Sequence, residues 1–157
     1  MPNTKPYNLT FTDYYNFLKY GSYIAVKPTK NTTKTILEII NKLKLKSPIK
    51  EDDLHVTLMY SDTRGIPEFF PYTNAVYNAT GYKLEVWDNV LVMTLESPEL
   101  HSRFDDLSYR GFRHSYDTYV PHISLSYEYQ GEKIDKDIAA NIKLEFSNEY
   151  HETLKDT

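Results

Sequence analysis

At 157 residues, with 40% hydrophobic and 25% charged residues, the chain has the size and balance of one soluble globular domain with a real core. No stretch approaches the ~20 apolar residues of a membrane span, and the absence of cysteine excludes disulfides, thiolate nucleophiles and cysteine–zinc sites. A net charge of −4 argues against a long polyanionic partner, which needs many phosphate contacts and a basic face, whereas a small nucleotide needs only a few cations.

The N-terminal MPNTKPYNLTF lacks the charged-then-apolar order of a signal peptide. With the missing cysteines this leads to the expectation of a cytoplasmic protein without a membrane association. Tyr7, Phe11, Tyr14, Tyr15, Phe17 and Tyr20 suggest a short helix over residues 7–20 that covers one edge. Residues 22–27 (SYIAVK) read as a strand. Ile36, Leu37, Ile39, Ile40 and Leu43 then fall at helical spacing within 31–45, with Thr29 or Thr32 as the cap. Residues 54–60 (LHVTLMY) alternate strictly: Leu54, Val56 and Leu58 point one way, and His55, Thr57 and Met59 the other. Residues 61–80, with Gly65, Pro67 and Pro71, read as a long connecting loop.

The same order recurs. Residues 83–95 read as two strands turning at Asp88-Asn89, or as a single bulged strand. Ser97-Pro98-Glu99 opens a helix that carries Leu100, Phe104 and Leu107 and stops at Gly111. Residues 120–127 (VPHISLSY) alternate again: His122, Ser124 and Ser126 face one side, and Ile123, Leu125 and Tyr127 the other. Residues 142–146 form a last strand, and from Glu149 onward the polar tail is expected to fray. One domain over 1–157 thus contains two strand–helix–strand lobes, an α+β architecture, each lobe closing on His-x-Ser/Thr. Right-handed crossovers predict parallel neighbouring strands within each lobe, and the two lobes would face each other across a cleft.

A phosphodiester exchange needs one proton taken from the nucleophile and another given to the leaving oxygen. Two histidines on opposite sides of one phosphorus can divide those tasks without a metal. A hydroxyl two residues along the strand shares its histidine's face and can steady a phosphate oxygen. His55, Thr57, His122 and Ser124 are therefore the candidate catalytic residues, with neither metal nor cofactor expected. A lone His-x-Ser/Thr means little among five histidines, and His151-Glu152-Thr153 makes a third copy. That copy has glutamate in the middle and no preceding strand and helix, and reads as coincidence or a tail feature. His101 reads as a helix-surface residue and His114 as part of a charged loop.

The paired LHVTL and PHISL motifs, over residues 22 to about 147, resemble the 2H phosphoesterase superfamily, which includes RNA 2′,3′-cyclic and 2′-5′ oligoadenylate phosphodiesterases. The compact length, the opening YGSYIAVKPT and the tyrosine-rich N-terminus are most similar to the bacteriophage anti-CBASS nucleases, which degrade the cyclic oligonucleotide signals of bacterial defence. The resemblance implies a bilobal, LigT-like fold with sheets facing a central cleft, catalysis by His55, Thr57, His122 and Ser124, and a cyclic oligonucleotide as partner. It also implies aromatic residues that hold the bases. Tyr23, at the start of the first strand, and Trp87, beside a turn, are the candidates, although core packing is the plainer reading of Trp87. Glu149 is a candidate acceptor for a base edge. Lys27, Arg110 and Arg113 could add positive charge, but solvated surface positions are the plainer reading. RNA ends with 2′,3′-cyclic phosphate or 2′-5′ linkages are the alternative substrates, and sequestration without cleavage is the alternative activity.

Overall fold

A computed structural model describes residues 19–64, 71–116 and 118–154. Most of the helix expected over 7–20 and the middle of the 61–80 loop lie outside them. Among the described residues, six strands and two α-helices follow in the order β1 (Gly21–Pro28), α1 (Lys30–Leu43), β2 (Val56–Ser61), β3 (Tyr77–Trp87), β4 (Val90–Glu96), α2 (Pro98–Tyr109), β5 (His122–Ser126) and β6 (Lys143–Leu154), with a 3-10 turn at Glu51–Asp53 before β2. The strands close into a barrel in the order β1-β2-β5-β4-β3-β6.

Local chemistry sets the helix ends. Thr29 caps α1, and Lys44 closes it in the left-handed region at φ 52°. Thr32, Ile36, Ile39, Ile40 and Leu43 form its buried stripe. The Ser97 hydroxyl accepts from the Leu100 N–H at 3.0 Å and donates to the Asn78 carbonyl at 2.6 Å, tying the start of α2 to β3. Gly111 follows α2 at φ 107°, and the Phe112 N–H returns to the Leu107 carbonyl at 3.1 Å. Asp88 and Asn89 both take positive φ, 46° and 67°, so β3 and β4 form a two-residue hairpin rather than one bulged strand.

The strand directions correct the expectation of parallel neighbours. β1 pairs with β2, and β4 with β5, in antiparallel fashion. After each helix the chain runs through a connecting segment of twelve residues, 44–55 and 110–121, before the next strand begins. Each is long enough (~3.3 Å per residue) to recross the length of its helix (~1.5 Å per residue) and enter from the opposite end. The Ile49 N–H bonds the Leu125 carbonyl at 2.9 Å along the first segment, and the Leu95 N–H bonds the Pro121 carbonyl at 2.9 Å at the end of the second.

The core includes Ile24, Val26, Ile36, Leu58, Met93, Leu100, Leu107, Leu125 and Phe146, packed between the helices and one face of the strands. The tail does not fray at Glu149. β6 continues to Leu154, pairing first with β3 and then with β1. His151 lies opposite Ile24 with Nε2 2.9 Å from the Ser22 hydroxyl, and burial pushes its pKa down to about 4. The third His-x-Thr copy is thus part of a sheet.

Glu149 is buried. Arg103 donates to it through Nε and Nη2, each at 2.8 Å, the Tyr72 N–H at 2.8 Å and the Tyr77 hydroxyl at 3.1 Å. Arg103 also bonds Asp106 and sits 3.6 Å from the centre of the Tyr72 ring. Removing one partner of a buried pair strands the other charge. The Arg103→Met variant should lose about 3–5 kcal/mol of stability in urea unfolding; a loss below about 1 kcal/mol would make the pair a surface-like contact.

Candidate active site

The two motif strands meet at one pair of residues, Val56 and Ile123, in antiparallel register. That register sets His55 beside Ser124 and Thr57 beside His122, all on the face opposite Val56 and Ile123. Each histidine thus neighbours the hydroxyl of the other lobe as well as sharing a strand with its own. The four motif side chains are partly buried, while Val56 and Ile123 are fully buried.

The histidines are held identically. His55 Nδ1 lies 2.7 Å from the Asp53 carbonyl, and His122 Nδ1 lies 2.7 Å from the Val120 carbonyl, two residues upstream in both cases. A carbonyl only accepts, so each Nδ1 carries hydrogen and each neutral ring keeps its free lone pair at Nε2. Burial lowers the pKa of His122; the Val120 carbonyl opposes this, and charge on His55 lowers it further. A proton on His55 therefore disfavours a second on His122.

A second correspondence links the strands. Opposite β1 the register skips Leu58, and opposite β4 it skips Leu125, so each strand bulges three residues after its histidine. The strict alternation expected for 54–60 and 120–127 ends at these bulges. Met59 turns into the core, and Ser126 is buried, donating to the Ser47 carbonyl at 2.6 Å. Tyr60 is turned to the Tyr23 side, where the two rings meet edge-on at 6.3 Å. Tyr127, at the matching place after His122, is close enough to Tyr23 for their charges to interact.

Tyr23 stands beside the motifs. Its hydroxyl is 3.0 Å from Thr57 Oγ1, and its ring meets His55 and Tyr150 edge-on at 6.1 and 6.4 Å. Burial raises its pKa, which keeps the phenol protonated. Trp87 is outside the core: its ring meets His122 edge-on at 4.6 Å, and both line a pocket of about 380 Å³ with Thr57. Glu149 is not brought to this pocket, and its carboxylate is engaged by Arg103, Tyr72 and Tyr77. Lys27 donates to the Asp52 carbonyl at 2.7 Å, and Arg110 bonds Asp106 and Tyr72.

The rest of the pocket wall comes from Tyr60, His114, Tyr116, Thr118, Tyr119 and Val120. His114, which reads in the sequence as part of a charged loop, and Tyr60, Tyr116 and Tyr119, which carry no motif, thus join the site. The dense run HSYDTYVPH leading into the second motif was the available signal. Tyr119 is buried, stacks on Phe104 at 4.4 Å, and donates its hydroxyl to the Thr57 carbonyl at 2.9 Å. Among the described residues, no group of three His, Asp or Glu side chains gathers as a metal-ligand set, and no helix is long and apolar enough to cross a membrane.

The chain has relatives in sequence and in fold. The family described as anti-CBASS protein Acb1 matches residues 20–157. The anti-CBASS protein Acb1 of Acinetobacter phage Ac42 is 30% identical over 138 residues, 85% of this chain and 91% of that one. The Enterobacteria phage T4 protein of the same name is 30% identical over 139 residues, 86% and 89% of the two chains. Among solved structures, Escherichia coli LigT complexed with 3′-AMP is similar with a TM-score of 0.55 and 14% identity, over 87% of this chain and 95% of that one. A Thermus thermophilus protein matches with a TM-score of 0.55 and 14% identity, over 83% and 82%. The fold is thus an α+β, LigT-like fold.

The charge coupling between the histidines is directly measurable. By NMR titration, His122 should show a pKa below the ordinary value near 6.5, and His55→Gln should raise it by removing the neighbouring charge. A fall, or no change, would separate the two rings.

Proposed function

Because the chain belongs to the anti-CBASS protein Acb1 family, we propose that it is a metal-independent phosphodiesterase that cleaves 3′-5′ linkages of cyclic di- or trinucleotide defence signals. The observation that carries this reading is the register at Val56 and Ile123, which puts two histidine–hydroxyl pairs on one face. Both lone pairs at Nε2 are left for proton transfer because both Nδ1 atoms are engaged.

In the mechanism we favour, the 2′-hydroxyl next to the scissile linkage attacks phosphorus. It is already close, so most of the entropic cost of assembly is avoided. His122, kept neutral by burial and by charge on His55, takes the 2′ proton at Nε2. Protonated His55 gives a proton from Nε2 to the departing 5′ oxygen. Thr57 and Ser124 donate to the non-bridging oxygens as charge builds there. Tyr23, as a protonated phenol donating to Thr57 Oγ1, would leave the threonine hydrogen free for phosphate. A 2′,3′-cyclic phosphate forms as the 5′ oxygen departs, and water then opens it at the same site. Trp87 and the tyrosines of the pocket supply ring faces for bases, worth about 1–3 kcal/mol per stack.

The decisive assay incubates the chain with a panel of cyclic di- and trinucleotides in EDTA and resolves the products. Cleavage should persist in the chelator, and His55→Ala and His122→Ala should each lower it by roughly 10²–10⁴-fold. Loss of turnover in EDTA with recovery on adding a divalent ion would overturn metal independence, and retention of intact ligand by the unaltered protein would identify a sponge.

The nucleophile has its own test. An analogue lacking the 2′-hydroxyl at the scissile linkage should bind, since its bases and phosphates are unchanged, but resist cleavage. Comparable cleavage would assign the attack to water and leave the histidines as acid and base.

A further inference from the structure

His114 is set into the pocket by main-chain bonds. The segment after α2 is joined to the end of β2: the Arg113 N–H donates to Ser61 Oγ at 3.0 Å, and the Ser115 N–H to the Tyr60 carbonyl at 2.8 Å. Between them, Ser61 and His114 form an antiparallel bridge. The Tyr60 N–H then donates to His114 Nδ1 at 3.2 Å. A backbone N–H only donates, so Nδ1 carries no hydrogen, and the neutral ring bears its hydrogen at Nε2. This is the tautomer opposite to that of His55 and His122. Protonation would set two donors against each other at Nδ1, and burial lowers the pKa of this ring as well, so both effects keep it neutral. Phe104, Tyr116 and Tyr119 surround the ring at 5.2, 5.5 and 5.9 Å and fix its plane. Its Nε2 has no hydrogen-bond partner among the described residues, and the ring lines the pocket that also holds Thr57 and His122.

We propose that His114 is a base-reading residue, whose Nε2–H donates to an acceptor atom on the edge of the nucleobase bound in this pocket. The inference rests on the nucleotide reading above and adds a selection rule to it. A neutral ring whose Nδ1 is engaged can only donate at Nε2, so it accepts a base that presents a ring nitrogen or carbonyl oxygen there. It disfavours a base that presents an amino group, because two donors would then be buried face to face. His114 is no proton-transfer group in this scheme, because its basic nitrogen is occupied by the backbone.

Two substitutions separate reading from scaffolding. His114→Asn keeps an acceptor near the Nδ1 position for the Tyr60 N–H and loses the donor at Nε2. His114→Gln keeps a donor near Nε2 and loses the well-placed acceptor. The probes are the four nucleoside 3′-monophosphates, with dissociation constants measured for each variant, alongside cleavage of cyclic dinucleotides. The unaltered protein should discriminate the best from the worst base by about tenfold or more, the worth of one hydrogen bond against an unpaired donor. That ratio should collapse in His114→Asn and survive in His114→Gln. Equal affinity for all four bases, a ratio retained by His114→Asn, or one lost by His114→Gln overturns the inference. Base discrimination with the variant pattern intact, but no cleavage of any cyclic dinucleotide, upholds His114 as the reader and removes the phosphodiesterase reading. Absence of binding to every monophosphate overturns the inference, and absence of cyclic-dinucleotide cleavage as well overturns both.

Discussion

The site depends on one antiparallel pair, Val56 with Ile123. It closes the barrel between β2 and β5, and each motif strand begins there. Because antiparallel partners exchange neighbours symmetrically, this single pairing sets each histidine beside the other lobe's hydroxyl. A slip of one residue would turn the motif side chains of one strand to the opposite face. Val56 and Ile123 are fully buried, so such a slip would also expose their apolar surface and bury polar side chains in their place. The burial of two aliphatic residues thereby holds the geometry of four polar ones.

The backbone then decides what each ring can do. What the Nδ1 atoms of the three histidines meet sets which of them carries a hydrogen at Nε2. Carbonyls of residues 53 and 120 leave His55 and His122 with a free lone pair at Nε2. The N–H of residue 60 leaves His114 with a hydrogen there. Two rings with a lone pair at Nε2 and one ring with a hydrogen there result from the same side chain, set by neighbours that carry no charge. The bulges at Leu58 and Leu125 add the third element, because the extra residue on each motif strand shifts which later side chains face the core.

Arg103 and Glu149 join helix α2 to β6, the strand that pairs with both β3 and β1 on the side of the barrel away from the β2–β5 seam. Tyr77 on β3 and the main chain at Tyr72 bond the same carboxylate, so one buried ion pair ties a helix, two strands and a connecting segment together. Such a pair contributes specificity of packing more than net stability, since desolvation offsets most of its attraction.

Much of this was legible in the residues themselves. Ser97-Pro98-Glu99 and the apolar stripe of α1 are local signals that determined two helices without help from distant parts of the chain, while Asp88-Asn89 offered a hairpin beside a single bulged strand. The duplicated His-x-hydroxyl pattern marked the four motif residues, because alternation along a strand is itself local. What the tertiary structure alone decided was everything that depends on a long return path or a distant partner. The connecting segments recross their helices, so the neighbouring strands run antiparallel where short crossovers would have made them parallel. Bulges depend on the register of the facing strand, so Met59 went to the core and Tyr60 toward Tyr23 against the simple alternation. Glu149 looked like a residue of a polar tail, but its partner Arg103 lies 46 positions away, and only folding makes burial of that charge tolerable. His114 has the same character: its hydrogen-bonding sense comes from the Tyr60 main chain, 54 residues distant, which no local pattern encodes.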